Sequence, residues 1–181
     1  MRMETPDEAL ATAAAAGDRD AFAALLARHY DRIFRLSFSL TGRRAEAEDL
    51  TQDICAALPA KLQSFQNRAK FTTWLYRITV NATHDRRRRA ATHARAARSW
   101  GDWEVDRHAR MQAEAEAQDW LQTVMATLPA DLRDTLALTL GCDMTQAEAA
   151  QVLGISEGTV AWRISEAKKR LRAIAVAEDQ Q

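Results

Sequence analysis

The sequence predicts an all-α protein: two small helical bundles joined by a flexible linker, the second containing a helix-turn-helix. Three observations predict it. Only 6 Gly and 3 Pro stand against long Ala, Leu, Arg and Glu stretches, which leaves few residues for the turns that many short strands need. Apolar residues recur at helical three- and four-residue steps in two separate blocks. Between the blocks, residues 90–117 alternate Ala, Arg, Glu and His with almost no large aliphatics, so this stretch has no face to pack. A chain of 181 residues with 47% hydrophobic content is long enough for one large or two small cores.

The first block opens after an Ala-rich start. Phe22, Leu25, Leu26, His29, Tyr30, Ile33, Phe34 and Phe38 form the stripe of a core-facing helix, with Asp18 as its cap and Gly42 as its end. Ala45 to Leu58 reads as a second helix that Pro59 ends or kinks, because proline supplies no amide donor and disfavours helical geometry at the residue before it. After the polar stretch from Gln63 to Lys70, Phe71, Trp74, Leu75 and Ile78 resume helical spacing, with the Tyr76/Val80 pair, into a basic run. The first domain is therefore placed at 1–89 and the linker at 90–117, partly helical at its acidic end. In the second domain, 118–175, Leu121, Val124, Met125 and Leu128 precede Pro129, and Leu132, Leu136, Leu138 and Leu140 follow it. Two helices, Thr145 to Leu153 and Ser156 to about Ala173, close the domain before a polar tail at 176–181.

The formal charge is zero, 25 basic against 25 acidic side chains, and taken whole that argues against a nucleic-acid protein. The distribution argues the other way. Arg86, Arg87, Arg88, Arg89, Arg95 and Arg98 follow one another with no acid between, and Arg163, Lys168, Lys169, Arg170 and Arg172 meet only Glu166. The compensating acids gather near the amino terminus and in the linker. Cys55 and Cys142 are far apart and lack zinc spacing, which predicts free, buried thiols in a reducing compartment and no metal. No signal peptide and no membrane-length apolar run is visible, so the expectation is a cytoplasmic protein with no membrane contact of its own. A Gly-rich phosphate loop, a nucleophile with a base and a metal cluster are all missing, so neither an enzyme nor a cofactor is expected.

The most informative segment is TQAEAAQVLGISEGTVAWRI. Ala150, four residues before Gly154, permits close helix approach; Gly154 takes a left-handed turn; Val160 anchors the second helix; Ser156 caps it. That spacing fits a helix-turn-helix whose second helix presents Ser156, Glu157, Gly158, Thr159, Trp162 and Arg163 to a major groove, with Lys168 and Lys169 behind for phosphates. An ordinary helical hairpin has the same offsets, and the trailing cations favour DNA over it.

LPADLRDTLAL followed by MTQAEAAQVLGISEGTVAWRISEAKKRLR, and before them EAEDLTQDI, KLQSF and FTTWLYRITVNATHDRRRR in that order, resemble bacterial RNA polymerase sigma factors of the extracytoplasmic-function group in the sigma-70 family. The resemblance covers nearly the whole chain. It implies an alternative sigma factor that binds core RNA polymerase and directs transcription initiation at chosen promoters in response to stress, with promoter DNA and an anti-sigma factor as further partners. Glu48, Asp49, Gln52 and Asp53, one turn apart on one helix face, would by similarity dock on the clamp helices of the polymerase; a solvated acidic face is the plain alternative. The loop from Ser64 to Lys70 would receive an unstacked base of the minus ten element. Gln66, Asn67, Arg68, Arg77, Asn81, His84, Asp85, Arg86, Arg87, Arg88 and Arg89 would line that strand, although four arginines also make a solubilising helix end. The carboxy-terminal domain would read the minus thirty-five element. Relatives commonly carry Gly and an acid where Asn67 and Arg68 stand, and an aromatic where Pro59 stands. A helix-turn-helix regulator that binds DNA without joining polymerase is the alternative function, and it leaves the amino-terminal motifs unexplained.

Overall fold

In this computed structural model, which describes residues 5–100 and 120–178, every regular element is helical. The chain forms α1 (Asp7–Ala15), α2 (Arg19–Thr41), α3 (Arg44–Leu62), α4 (Phe71–Trp100), α5 (Trp120–Thr127), α6 (Ala130–Leu136), a π-helical turn (Ala137–Gly141), α7 (Gln146–Leu153) and α8 (Glu157–Glu178).

The first bundle follows the expected α2 stripe at Leu25, His29 and Ile33, but Tyr30 is 42% exposed, and Leu36 and Leu40, outside that stripe, are buried. Asp18 caps α2 by accepting from the amides of Asp20 and Ala21, and Gly42 ends it at φ 74°, a left-handed conformation that costs glycine nothing. Leu25 and Ile33 on α2, Leu50, Ile54, Leu58 and Leu62 on α3, and Phe71 and Leu75 on α4 fill one core. Burying each such side chain contributes about 1.5–3 kcal/mol. The Ala-rich opening forms α1, and Ala11 enters the core with no exposed surface. Polar anchors hold α1 down: Asp7 bonds Arg28 and the buried His29, and Glu8 accepts from the Phe71 amide at 3.1 Å, supplying the cap that the start of α4 lacks.

Three expected boundaries are corrected. Pro59 does not end α3, which continues to Leu62. The ring points to solvent, and burial of Leu58 and Leu62 on one face carries the helix through the lost hydrogen bond. The fourth helix does not stop near residue 90 but reaches Trp100, since Ala and Arg are strong helix formers even without a packed face. The last helix likewise passes Ala173 to Glu178. The rest of the linker, 101–117, the first two residues of the second domain and residues 179–181 of the polar tail lie outside the described residues.

In the second bundle, Leu128, Leu132 and Leu136 pack on Ala167 of α8. The wider π turn then adds a residue to the register, so Leu138 is fully buried and Leu140 is 66% exposed rather than continuing the expected stripe. Leu138 does not face the interior of its own bundle alone. With Ala137, Met144, Ala149, Ala150, Val152 and Val160 it joins Leu36 and Leu40 of α2 and Tyr76 and Val80 of α4 in one cluster. The two bundles therefore share a core.

Candidate nucleic-acid interface

The basic run of α4 presents different residues to different sides because successive positions turn by about 100°. Arg77, Asn81, His84 and Arg88 recur at heptad steps and are exposed. Tyr76, Val80 and Arg87 lie on the stripe turned to the second bundle. Arg86 reaches α3, with Nη2 3.3 Å from Asp49 and Nη1 3.7 Å from Asp53. Arg88 pairs with Asp85 one turn back, and Arg89 is exposed.

The four residues nominated for polymerase lie together on the outer face of α3. Asp49 and Asp53 keep 66% and 77% of their side-chain surface, Gln52 is exposed, and Glu48 pairs with Arg44. The inward positions Ala47, Leu50, Thr51 and Ile54 are buried, so the face is set by ordinary amphipathic spacing.

Gln66, Asn67 and Arg68 sit in the exposed loop between α3 and α4. Asn67 takes φ 53°, the left-handed region that asparagine tolerates better than most residues. Behind the loop, Phe65 and Trp74 lie 5.1 Å apart, with Phe71 completing an aromatic trio. Ser64, Phe65, Gln66, Arg68, Trp74 and Arg77 line a pocket of about 380 Å³. Aromatic walls beside amide and guanidinium donors are the features that hold an extruded base. The second bundle also reaches this pocket, through Gln151.

The helix-turn-helix offsets are realised. Thr145 and Glu148 form a reciprocal capping box at the start of α7, and Gly154 ends that helix at φ 67°. Ser156 Oγ accepts from the Thr159 amide at 3.1 Å and starts α8. Ala150 and Val160 are both buried where the helices cross. Ser156, Glu157, Gly158 and Trp162 face solvent, Trp162 with 61% exposure; Thr159 is partly covered. Arg163 leans on Asp131 at 3.6 Å, while Lys168 and Lys169 are exposed.

Sequence reasoning missed Asp134. Its side chain is 3% exposed, and its partners come from the other bundle: Arg87 Nη1 donates to both carboxylate oxygens at 3.0 and 2.9 Å, and His84 Nε2 lies 2.8 Å from Oδ2. Arg87 Nη2 donates as well to the carbonyl of Leu40. At the rim, Lys70 Nζ meets Glu148 Oε1 at 2.8 Å, and this bond with the Thr145 contacts holds the Glu148 carboxyl down at about 2. Burial pushes Tyr76 up to about 12 and the Cys142 thiol up to about 11. Both cysteines are free and half-buried, and among the described residues no cluster of His, Cys, Asp and Glu is placed to hold a metal. No described helix is long and apolar enough to cross a membrane.

These features define a two-module helical protein with a helix-turn-helix in the second module and a basic, aromatic-backed surface on the first. Residues 25–93 match the family model for Sigma-70 region 2, and residues 118–171 match that for Sigma-70, region 4. The chain is 37% identical over 174 residues to the ECF RNA polymerase sigma factor SigM of Mycobacterium tuberculosis, across 94% of this chain and 85% of that one. It is 31% identical over 190 residues to the RNA polymerase sigma factor CnrH of Cupriavidus metallidurans, across 99% of this chain and all of that one. The solved structure of CnrH in complex with the cytosolic domain of CnrY superposes with a TM-score of 0.70 at 30% identity, covering 94% and 97% of the two chains. The chain belongs to the extracytoplasmic-function sigma factors of the sigma-70 family.

Proposed function

We propose that this chain binds core RNA polymerase through the acidic face of α3 and directs transcription from promoters whose two elements it reads with separate modules. The module through residue 89 would take the minus ten element, with Gln66, Asn67 and Arg68 at the extruded base and Arg77, Asn81, His84, Asp85 and Arg86 to Arg89 along the strand. The module at 118–175 would read the minus thirty-five element with Ser156, Glu157, Gly158, Thr159, Trp162 and Arg163, while Lys168 and Lys169 contact phosphates. The observation that carries this reading is the presence of both regions, in order, on one chain. Exposure of the outer α3 face and of the start of α8 supports it. A factor that joins core polymerase works in the cytoplasm, on an inducing stress signal. It contributes binding and positioning rather than catalysis.

An anti-sigma factor that restrains the chain is part of the proposal, supported by the 30% identity to CnrH, which was captured with the cytosolic domain of another protein. Run-off transcription with purified core polymerase on a promoter library tests the function. A defined subset of promoters should fire only when the chain is added. Promoter binding that never yields a transcript would instead identify a regulator that works without polymerase.

A further inference from the structure

The amino-terminal helix α1 carries none of the roles assigned above, and it lies ahead of the residues, 25–93, that match region 2. Its contacts converge all the same on the loop between α3 and α4. Ala11 is fully buried in the core of the first bundle, so α1 is a fixed part of that bundle. From there its polar side chains reach the loop by two routes.

One route runs behind the pocket. Asp7 Oδ2 lies 2.8 Å from Nε2 of the buried His29, whose ring meets that of Phe71 with centroids 5.2 Å apart. Phe71 in turn touches Phe65 and Trp74, the aromatic walls of the pocket. Glu8 Oε1 accepts from the Phe71 amide at 3.1 Å, and Phe71 is the first residue of α4. A carboxylate at that place satisfies an amide the helix itself cannot, and it favours the positive end of the helix dipole. The direction in which Trp74 and Arg77 leave the loop is therefore set from α1.

The other route runs to the rim, where Asn67 Nδ2 donates to Thr12 Oγ1 at 3.5 Å. The Thr12 hydroxyl proton is already committed to the carbonyl of Glu8 at 2.9 Å, so toward Asn67 this oxygen can only accept. That fixes the carboxamide, with Nδ2 turned to α1. A side chain with a donor at one end and an acceptor at the other reads a base edge only when its two ends cannot exchange places.

We propose that α1 belongs to the base-reading machinery, with Thr12 and Glu8 as positioning residues: Thr12 sets the orientation of Asn67, and Glu8 sets the start of α4 and the aromatic wall it carries. The inference rests on the functional reading above, in which Asn67 meets the extruded base. Each of the two residues acts through the group it holds. A single exposed hydrogen bond is weak, so its effect falls on the choice among bases rather than on whether the promoter is engaged.

Transcription by core polymerase and the full chain, from a promoter library randomised across the minus ten element, tests this. Thr12→Val keeps the side-chain shape and removes the hydroxyl, and Thr12 is exposed, so the fold tolerates the change. T12V should flatten the base preference at one position of the element by about threefold, the worth of one modest hydrogen bond, with an unchanged circular dichroism melt. T12S, which retains the hydroxyl, should keep the wild-type preference. A merely structural Thr12 would instead lower the melt and leave the ratios among bases as they are. Equal preference in T12V and wild type, or the same flattening in T12S as in T12V, would overturn the role of Thr12.

N67A separates this inference from the reading beneath it. Altered preference in N67A but not in T12V defeats only the part given to α1, whereas unchanged preference in both defeats base reading by the loop itself. Glu8 is tested in the same assay without relying on the Thr12 variants. E8A removes the acceptor for the Phe71 amide and should flatten the preference by a similar factor while lowering the melt; E8Q keeps an acceptor there and should restore the preference. An E8A chain that is less stable but chooses bases as the wild type does would reduce Glu8 to an ordinary cap.

Discussion

Arg86 and Arg87 are neighbours on one helix, yet they serve two acidic regions with opposite physical character. Arg86 lies loosely between Asp49 and Asp53, which keep most of their surface in water. Arg87 grips Asp134, which has almost none. The difference comes from helix geometry: a turn of about 100° sends one guanidinium across the solvated edge of α3 and the next into the apolar contact between bundles. Exposed pairs of the first kind are worth about 0–1 kcal/mol, whereas removing one partner of the second kind costs about 3–5 kcal/mol. The charge of the first pair remains in water, and the charge that ties one bundle to the other is withdrawn from it.

The largest effect should come from the exposed side. Reversing both carboxylates, D49K with D53K, should cut promoter-directed transcription more than a hundredfold while leaving helical content and thermal stability nearly unchanged, because a surface substitution usually moves stability by no more than about 0.5 kcal/mol. Normal transcription by the folded double variant would reduce this face to a solvated surface and break the comparison.

Next in size is the contrast between the two arginines themselves. Arg87→Ala leaves a buried carboxylate without its bidentate partner, with the His84 hydrogen bond remaining, and should cost about 3 kcal/mol, several degrees in melting temperature. Arg86→Ala should stay within about 0.5 kcal/mol of wild type. Circular dichroism melts of the two variants side by side decide it. Matching melts would show that the bundles are not held together through Asp134 in solution.

The exposed end of the second bundle offers a third probe. Trp162→Ala removes a large apolar side chain that contributes little to the fold, so the melt should not move. Transcription from promoters that depend on the minus thirty-five element should fall about tenfold, the size expected for one good base contact. A variant that melts early instead would place Trp162 in the structural half of the comparison.

How far these differences could be read from the sequence depends on whether a local rule governs them. The caps at Asp18 and Ser156, the helix end at Gly42, the left-handed turn at Gly154 and the positions Leu25, His29 and Ile33 of the α2 stripe follow from short-range rules and are where the sequence put them. So is the crossing of α7 and α8 through Ala150 and Val160. Pro59 misled because burial of Leu62 outweighed one missing hydrogen bond. The π turn at Ala137–Gly141 left no local signature, and with it went the register that buries Leu138 and exposes Leu140. Asp134 was invisible for a deeper reason: a single acid in LPADLRDTLAL looks like a solvated helix position until the second bundle is docked. Its one hint is the four-residue step to Leu138, which puts an acid on the most buried stripe of its segment. The outer face of α3 and the start of α8 were legible as surfaces, since amphipathic spacing fixes what points outward; what they touch is not a property of spacing.

The smallest effect concerns the rim, where Lys70 meets Glu148. Glu148 has an ordinary value of 4.5 and is held at about 2, chiefly by the Lys70 bond and then by the Thr145 amide and hydroxyl. A carboxyl whose folded value is depressed contributes stability that is fully present above its unfolded value and is lost as pH falls through the folded one. The window is therefore from about pH 4.5 down to about pH 2. The pair stands at the edge of the interface, with Lys70 71% exposed, so water screens it and the contribution is small. Glu148→Gln is a clean probe because glutamine still serves the capping box with Thr145 and only the charge is removed. Above pH 5 the variant should melt about 1–2 °C below wild type, and the gap should close as the solution is acidified toward pH 2. A gap that stays constant with pH would assign the loss to the cap rather than to the ion pair, and the contact between Lys70 and Glu148 would then contribute nothing to holding the bundles together.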